Sequence, residues 1–84
     1  MIDICKEDMD FLNDIKAALA VDSQCEVFLK YKDIHILLEP QGSSINVYVN
    51  GKVVGKYLSF DEMISNLSFE NKLFIELISE IEYE

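Results

Sequence analysis

One histidine, two cysteines and sixteen acidic side chains are what this 84-residue chain offers for chemistry, and their spacing decides what they can do. Attack by a Ser or Cys nucleophile needs a base within hydrogen-bond reach, and His35 is the single histidine. It sits in Ile34-His35-Ile36-Leu37-Leu38, a strand pattern that turns it away from the core and opposite Lys30, so it reads as a surface residue. Zinc needs three or four converging Cys, His or carboxylate ligands, and Cys5 and Cys25 stand 20 positions apart. The three glycines form neither G-x-x-x-x-G-K-[ST] nor G-x-G-x-x-G, so no phosphate cradle is expected. Asp8 with Asp10, or Glu80 with Glu82, could bind Ca²⁺ or act as acid and base, yet neither pair lies in the glycine-containing loop of an EF-hand. No catalytic residue, cofactor or metal ligand is expected, and the chain does not read as an enzyme.

The acids matter more as a surface. Sixteen Asp and Glu against seven bases give a net charge of −9, which argues against direct binding of nucleic acid or of an anionic membrane. All seven bases are lysines, so there is no guanidinium fork for bidentate recognition of phosphate. Residues 1–22 carry −4, residues 23–58 carry +1 and residues 59–84 carry −6, which places the acidity in the terminal segments. Asp3, Glu7, Asp10 and Asp14 fall at i, i+4, i+7 and i+11 of a first helix, and Glu76, Glu80 and Glu84 repeat the arrangement in a last one. Acids one turn apart lie about 5 to 6 Å from each other. Such stripes read either as a solvated, solubilising surface or as a surface for a basic protein partner, including a nucleic-acid enzyme whose groove they would occupy.

The elements that must carry these groups follow from periodicity. Phe11, Leu12, Ile15, Ala18 and Leu19 recur at helical spacing and predict a helix over 8–20, extended to the candidate cap Asp3 if Ile2, Cys5 and Met9 join its face. From Cys25 the period switches to two. A tight turn at Lys32-Asp33 pairs Leu29 with Ile36 and Val27 with Leu38, and sets Phe28 opposite Leu37 on the other face. Pro40 to Ser43 turns the chain again, and Asn50-Gly51 closes a second hairpin. A three-residue loop there, with Gly51 left-handed, keeps Lys52 off the core and aligns Val53 with Ile45 and Val47. Ser59 with Glu62 forms a capping box, and Leu58 with Met63 a hydrophobic staple. Ser68 then caps a last helix, with Leu73, Phe74, Leu77, Ile78 and Ile81 on its apolar face, running to about Glu82.

The fold class is therefore α+β and two-layer: a helix, a four-stranded antiparallel meander, then two helices, all packed on one sheet face in a single domain over 1–84. The open face carries Phe28 and Leu37, flanked by Tyr48 or Val54. They offer a second candidate surface, for a homodimer or another partner. The first residues lack the basic start and apolar run of a signal peptide, and the longest apolar run, Ala17 to Val21, falls far short of the ~18 residues of a membrane span. With two cysteines outside any C-x-x-C spacing, reduced thiols and a cytoplasmic location are expected.

Tyr57-Leu-Ser-Phe-Asp-Glu-Met-Ile-Ser-Asn-Leu67, continued by Lys72 to Glu82, resembles the ending of small uncharacterised acidic α+β proteins of low-GC bacteria and their mobile elements. In those proteins a helix, a β-meander and an S-F-D-E-[LM]-[LI] helix pair follow one another. The resemblance implies no catalytic residue. That family often has a glycine between the two last helices, where Phe69-Glu70-Asn71 stands here. The general plan is also similar to phage-encoded anti-CRISPR and anti-restriction inhibitors and to toxin immunity proteins, an architectural likeness that implies an inhibitor acting by nucleic-acid mimicry.

Overall fold

The structure, a computed structural model, describes residues 5–69 and 71–84; the candidate cap and stripe residue Asp3 lies outside them. Helix α1 (Lys6–Leu19) starts two residues before the shorter expected span. Glu7 and Asp8 in its first turn and Lys16 in its last complement the helix dipole, and Leu12, Ile15 and Leu19 are buried. The meander follows as β1 (Val27–Tyr31), β2 (Ile34–Gln41), β3 (Ser44–Val49) and β4 (Lys52–Tyr57). The Lys32-Asp33 turn gives the expected register, with Val27 opposite Leu38, Phe28 opposite Leu37 and Leu29 opposite Ile36. Gln24 fastens the loop after α1 to the β2–β3 turn: its amide donates to the Gly42 carbonyl at 2.8 Å and accepts from the Gly42 N–H at 2.9 Å.

The second hairpin differs from expectation. Val49 pairs directly with Lys52, so Asn50-Gly51 is a two-residue turn with both residues in the left-handed region, at φ +50° and +85°. The Asn50 side chain accepts from the His35 N–H at 2.9 Å, which anchors the turn to β2. The problem of Lys52 is met by a bulge instead of a longer loop. The register shifts between Val47 and Tyr48, so Val53 lies opposite Tyr48 on the open face while Gly55 and Tyr57 return to the core side opposite Val47 and Ile45.

Helix α2 (Phe60–Asn66) is capped as predicted. The Ser59 hydroxyl accepts from the Glu62 N–H at 3.1 Å, and the Glu62 carboxylate reaches back to the Leu58 N–H at 3.2 Å. The staple does not form a buried contact: Met63 is fully buried but Leu58 is 68% exposed.

The last helix is the larger correction. Ser68 is no cap; it belongs to β5 (Ser68–Phe69), which pairs with β6 (Lys72–Leu73), and Asn71 supplies the positive φ (+68°) of the turn where a glycine would be usual. Phe74–Glu80 is a 3₁₀ helix, and β7 (Ile81–Tyr83) pairs antiparallel with β1. The sheet thus has five strands in the order β4-β3-β2-β1-β7. A helix through Glu82 would end in an acidic last turn against its own dipole, whereas strand pairing fills the free edge of β1 and sets Glu82 opposite Lys30. Leu12, Ile15, Leu29, Leu38, Val47, Met63, Phe74 and Leu77 are among the side chains of one continuous core between the helices and one sheet face.

Candidate binding surface

Each expected acidic stripe meets a different fate. Glu7, Asp10 and Asp14 are exposed on α1 at helical spacing. Glu76, Glu80 and Glu84 do not form a stripe. In a 3₁₀ helix residues advance 120° each, so Glu80 lies about 120° round the axis from Glu76 instead of above it. Glu76 caps its own helix by accepting from the Leu73 N–H at 3.0 Å. Glu84 stands beyond β7, where its carboxylate meets Nδ1 of His35 on the sheet. The acidity is therefore not confined to helices, since Glu82 in β7 and Glu84 just after it lie at the sheet edge.

The sheet face away from the core gathers the other predicted pair into something larger. Strand alternation and register place Phe28 (β1), Leu37 (β2), Tyr48 (β3) and Val53 (β4) in one row across four strands. Phe28 is 51% exposed and Val53 63% exposed, whereas their neighbours on the core face, Leu29 and Leu38, are fully buried. Val53 takes the place expected of Val54, because the bulge turns it outward. A concavity of about 300 Å³ opens over Leu37 between the Phe28 and Tyr48 rings, with His35, Gly51 and Glu84 at its margin.

Polar rows flank the apolar one. His35, Lys30 and Glu82 line one side, and Glu39, Asn46 and Lys56 the other. Glu39 accepts from Asn46 at 3.2 Å and from the Tyr48 hydroxyl at 3.3 Å. The Glu39 charge is the main cause that pushes the Tyr48 phenol above its ordinary range; burial, the hydrogen bond to Glu39 and the charge of Glu26 add to it. At the sheet edge Tyr83 packs edge-on against Phe11 of α1, with ring centroids 4.9 Å apart, and burial followed by the charge of Asp14 raises its phenol too.

His35 and Glu84 form an imidazole–carboxylate pair, and among the described residues that line the concavity beside them there is no Ser or Cys. Both cysteines are free; Cys5 Sγ donates to the Asp8 carboxylate at 3.2 Å. Among the described residues no cluster of three or more His, Cys, Asp or Glu could hold a metal ion, and no helix is long and apolar enough to cross a membrane. A second crevice of about 200 Å³ lies between Leu19 and Val21 at the end of α1 and Leu58 and Phe60 at the start of α2.

Sequence reasoning missed Val53 and the β7 residues of this surface. The signal for β7 was present in Glu80-Ile81-Glu82-Tyr83-Glu84, a strict polar–apolar alternation that the helical reading of Leu77, Ile78 and Ile81 overrode. No family model, curated protein or solved structure matches the chain.

Proposed function

We propose that this chain is a non-catalytic protein-binding domain whose binding surface is the open face of its sheet. The observation that carries the reading is the row Phe28, Leu37, Tyr48 and Val53, continuous across four strands and bordered by polar rows on both sides. Single exposed hydrophobes are ordinary on a protein surface, but a contiguous apolar strip with a polar rim has the anatomy of an interface. An acidic surface for a basic partner stays as a second reading, reduced to Glu7, Asp10 and Asp14 on α1.

The test is affinity capture by immobilised chain at about 50 mM and about 500 mM salt, with captured proteins identified, untagged copies of the chain included. Capture at high salt by the wild type, lost in Phe28→Glu, is the expected result. Capture at low salt only, lost in Glu7→Lys/Asp10→Lys/Asp14→Lys and retained in Phe28→Glu, would transfer the function to α1.

A further inference from the structure

We infer that the occupant of the open face is a second copy of this chain, stacked about a two-fold axis that runs along the apolar row, perpendicular to the strands. The inference rests on the function proposed above and names the partner. Along β1 and the residue before it the open face reads Glu26, Phe28, Lys30, and on β2 it reads His35, Leu37, Glu39. Both are an apolar centre between unlike ends. Glu26, the residue before β1, falls on this face by alternation with Phe28 and Lys30.

A two-fold axis along the row reverses every strand over its own copy. Phe28 then lies beside Phe28 of the other copy, and each Lys30 faces the other copy's Glu26, a contact made twice per dimer. Each His35 faces a Glu39 in the same way. On β3, Tyr48 lies between Asn46 and Asn50, neutral amides that impose no sign on the pairing. An isologous interface must be self-complementary, and these two strands meet that condition by their order of residues alone. An axis along the strands through the middle of the row lays β1 over β4 instead; Glu26 then meets Lys56 but Lys30 meets the Asn50-Gly51 turn, so only one of the two charges on β1 finds a partner.

The size of the face sets the strength. Four strands about 4.8 Å apart and about six residues at ~3.3 Å each cover roughly 400 Å² per copy. Some 800 Å² in total falls below the roughly 1,000 Å² that stable interfaces clear, so the dimer should be weak and transient and is sought up to millimolar chain. Within its own copy Lys30 lies opposite Glu82 and His35 meets Glu84, and Glu84, level with Phe28, faces Glu84 of the other copy at the end of the row, so the apolar row and not the rim supplies most of the attraction.

Sedimentation equilibrium from about 10 µM to 1 mM tests the inference, with circular dichroism melts to establish that each variant is folded. The wild type should pass from 9.7 kDa toward twice that mass, and Phe28→Glu should stay monomeric. Lys30→Glu should weaken dimerisation roughly tenfold, counting two rim pairs per dimer, and adding Glu26→Lys on the same chain should restore it. A wild type that is monomeric throughout overturns the inference. If it still captures another protein in a Phe28-dependent way, the proposed function survives; if it captures none, both fall. A dimer indifferent to Phe28→Glu, or a charge swap that fails to restore what Lys30→Glu removes, also overturns the two-fold stack.

Discussion

Proline at two adjacent positions of β7 separates the strand from the helix that the apolar spacing of this segment suggests. Glu84 lies opposite Phe28 and donates its N–H to the Phe28 carbonyl at 3.0 Å. Hydrogen-bonded pairs alternate along an antiparallel ladder, so Glu82 with Lys30 is the next bonded pair. The Glu82 N–H therefore points at β1, and the Tyr83 N–H points outward to the free edge. Replacing Glu82 with Pro removes a ladder bond and leaves the Lys30 carbonyl without its donor. Relative to Glu82→Ala this should cost about 2 to 4 kcal/mol. Tyr83→Pro loses the Phe11 contact, but so does Tyr83→Ala, and the outward N–H has no ladder bond to lose. The Pro-minus-Ala difference at Tyr83 should therefore be within about 0.5 kcal/mol of zero, helped by the stiffer unfolded chain. In a domain of this size the excess at Glu82 corresponds to roughly 10 to 30 °C in Tm. Urea unfolding and thermal melts of the four variants measure both differences. A continuous helix through this segment would lose one i→i−4 bond at either position. Two Pro-minus-Ala differences equal within about 0.5 kcal/mol would thus refute β7 and the register drawn from it.

Two further expectations concern the hairpin and the open face. Gly51 has φ +85° and nothing within 4 Å of where a Cβ would stand, so Gly51→Ala should lower stability by about 1 to 2 kcal/mol through backbone strain alone, measurable by urea denaturation. Because the Tyr48 phenol is raised in the folded chain, its unfolded counterpart ionises first, from about pH 10 upward. Its contribution to stability is constant below that pH and is lost as pH rises through the folded-state value. Glu39→Gln removes the main cause, so an ultraviolet titration of phenolate should show one tyrosine moved down toward the ordinary range; an unchanged curve would mean that Glu39 does not govern Tyr48.

What could be read from the sequence, and what could not, follows physical lines. The β1–β2 register was legible because period-two burial and a tight turn leave one self-consistent pairing, and a slip of one residue would bury Lys30 and His35. The start of α2 was legible because Ser59 and Glu62 satisfy orphan N–H groups locally. The end of the chain was not, because Phe74, Leu77, Ile78 and Ile81 suit a helix face as well as a 3₁₀ turn that runs into a strand. What decides between them is non-local: the free edge of β1, some fifty positions earlier in the sequence, can pair with Ile81–Tyr83. The candidate surface inherited the same division. Phe28 and Leu37 followed from local alternation, whereas Val53 depends on a bulge and Glu84 on an edge pairing that the helical pattern concealed.

Salt separates the two binding readings by sign, and the reason lies in how β7 redistributes charge. Each copy carries −9, so two copies repel at long range, and a Debye length of about 10 Å at 0.1 M screens that repulsion. The attraction of the stacked faces is mostly apolar and is not screened; the rim pairs at Lys30 and Glu26 are screened but supply the smaller share. Added salt should therefore strengthen the face-to-face dimer, while any complex made by Glu7, Asp10 and Asp14 with a basic partner weakens. The edges reinforce the distinction. Glu82 on β7 and Lys52 and Lys56 on β4 set like charges against each other if either edge pairs with its own copy, and the β4 bulge distorts that edge further. Growth of the sheet sideways is thus opposed at both ends, which leaves the apolar row as the surface on which the proposed dimer would form.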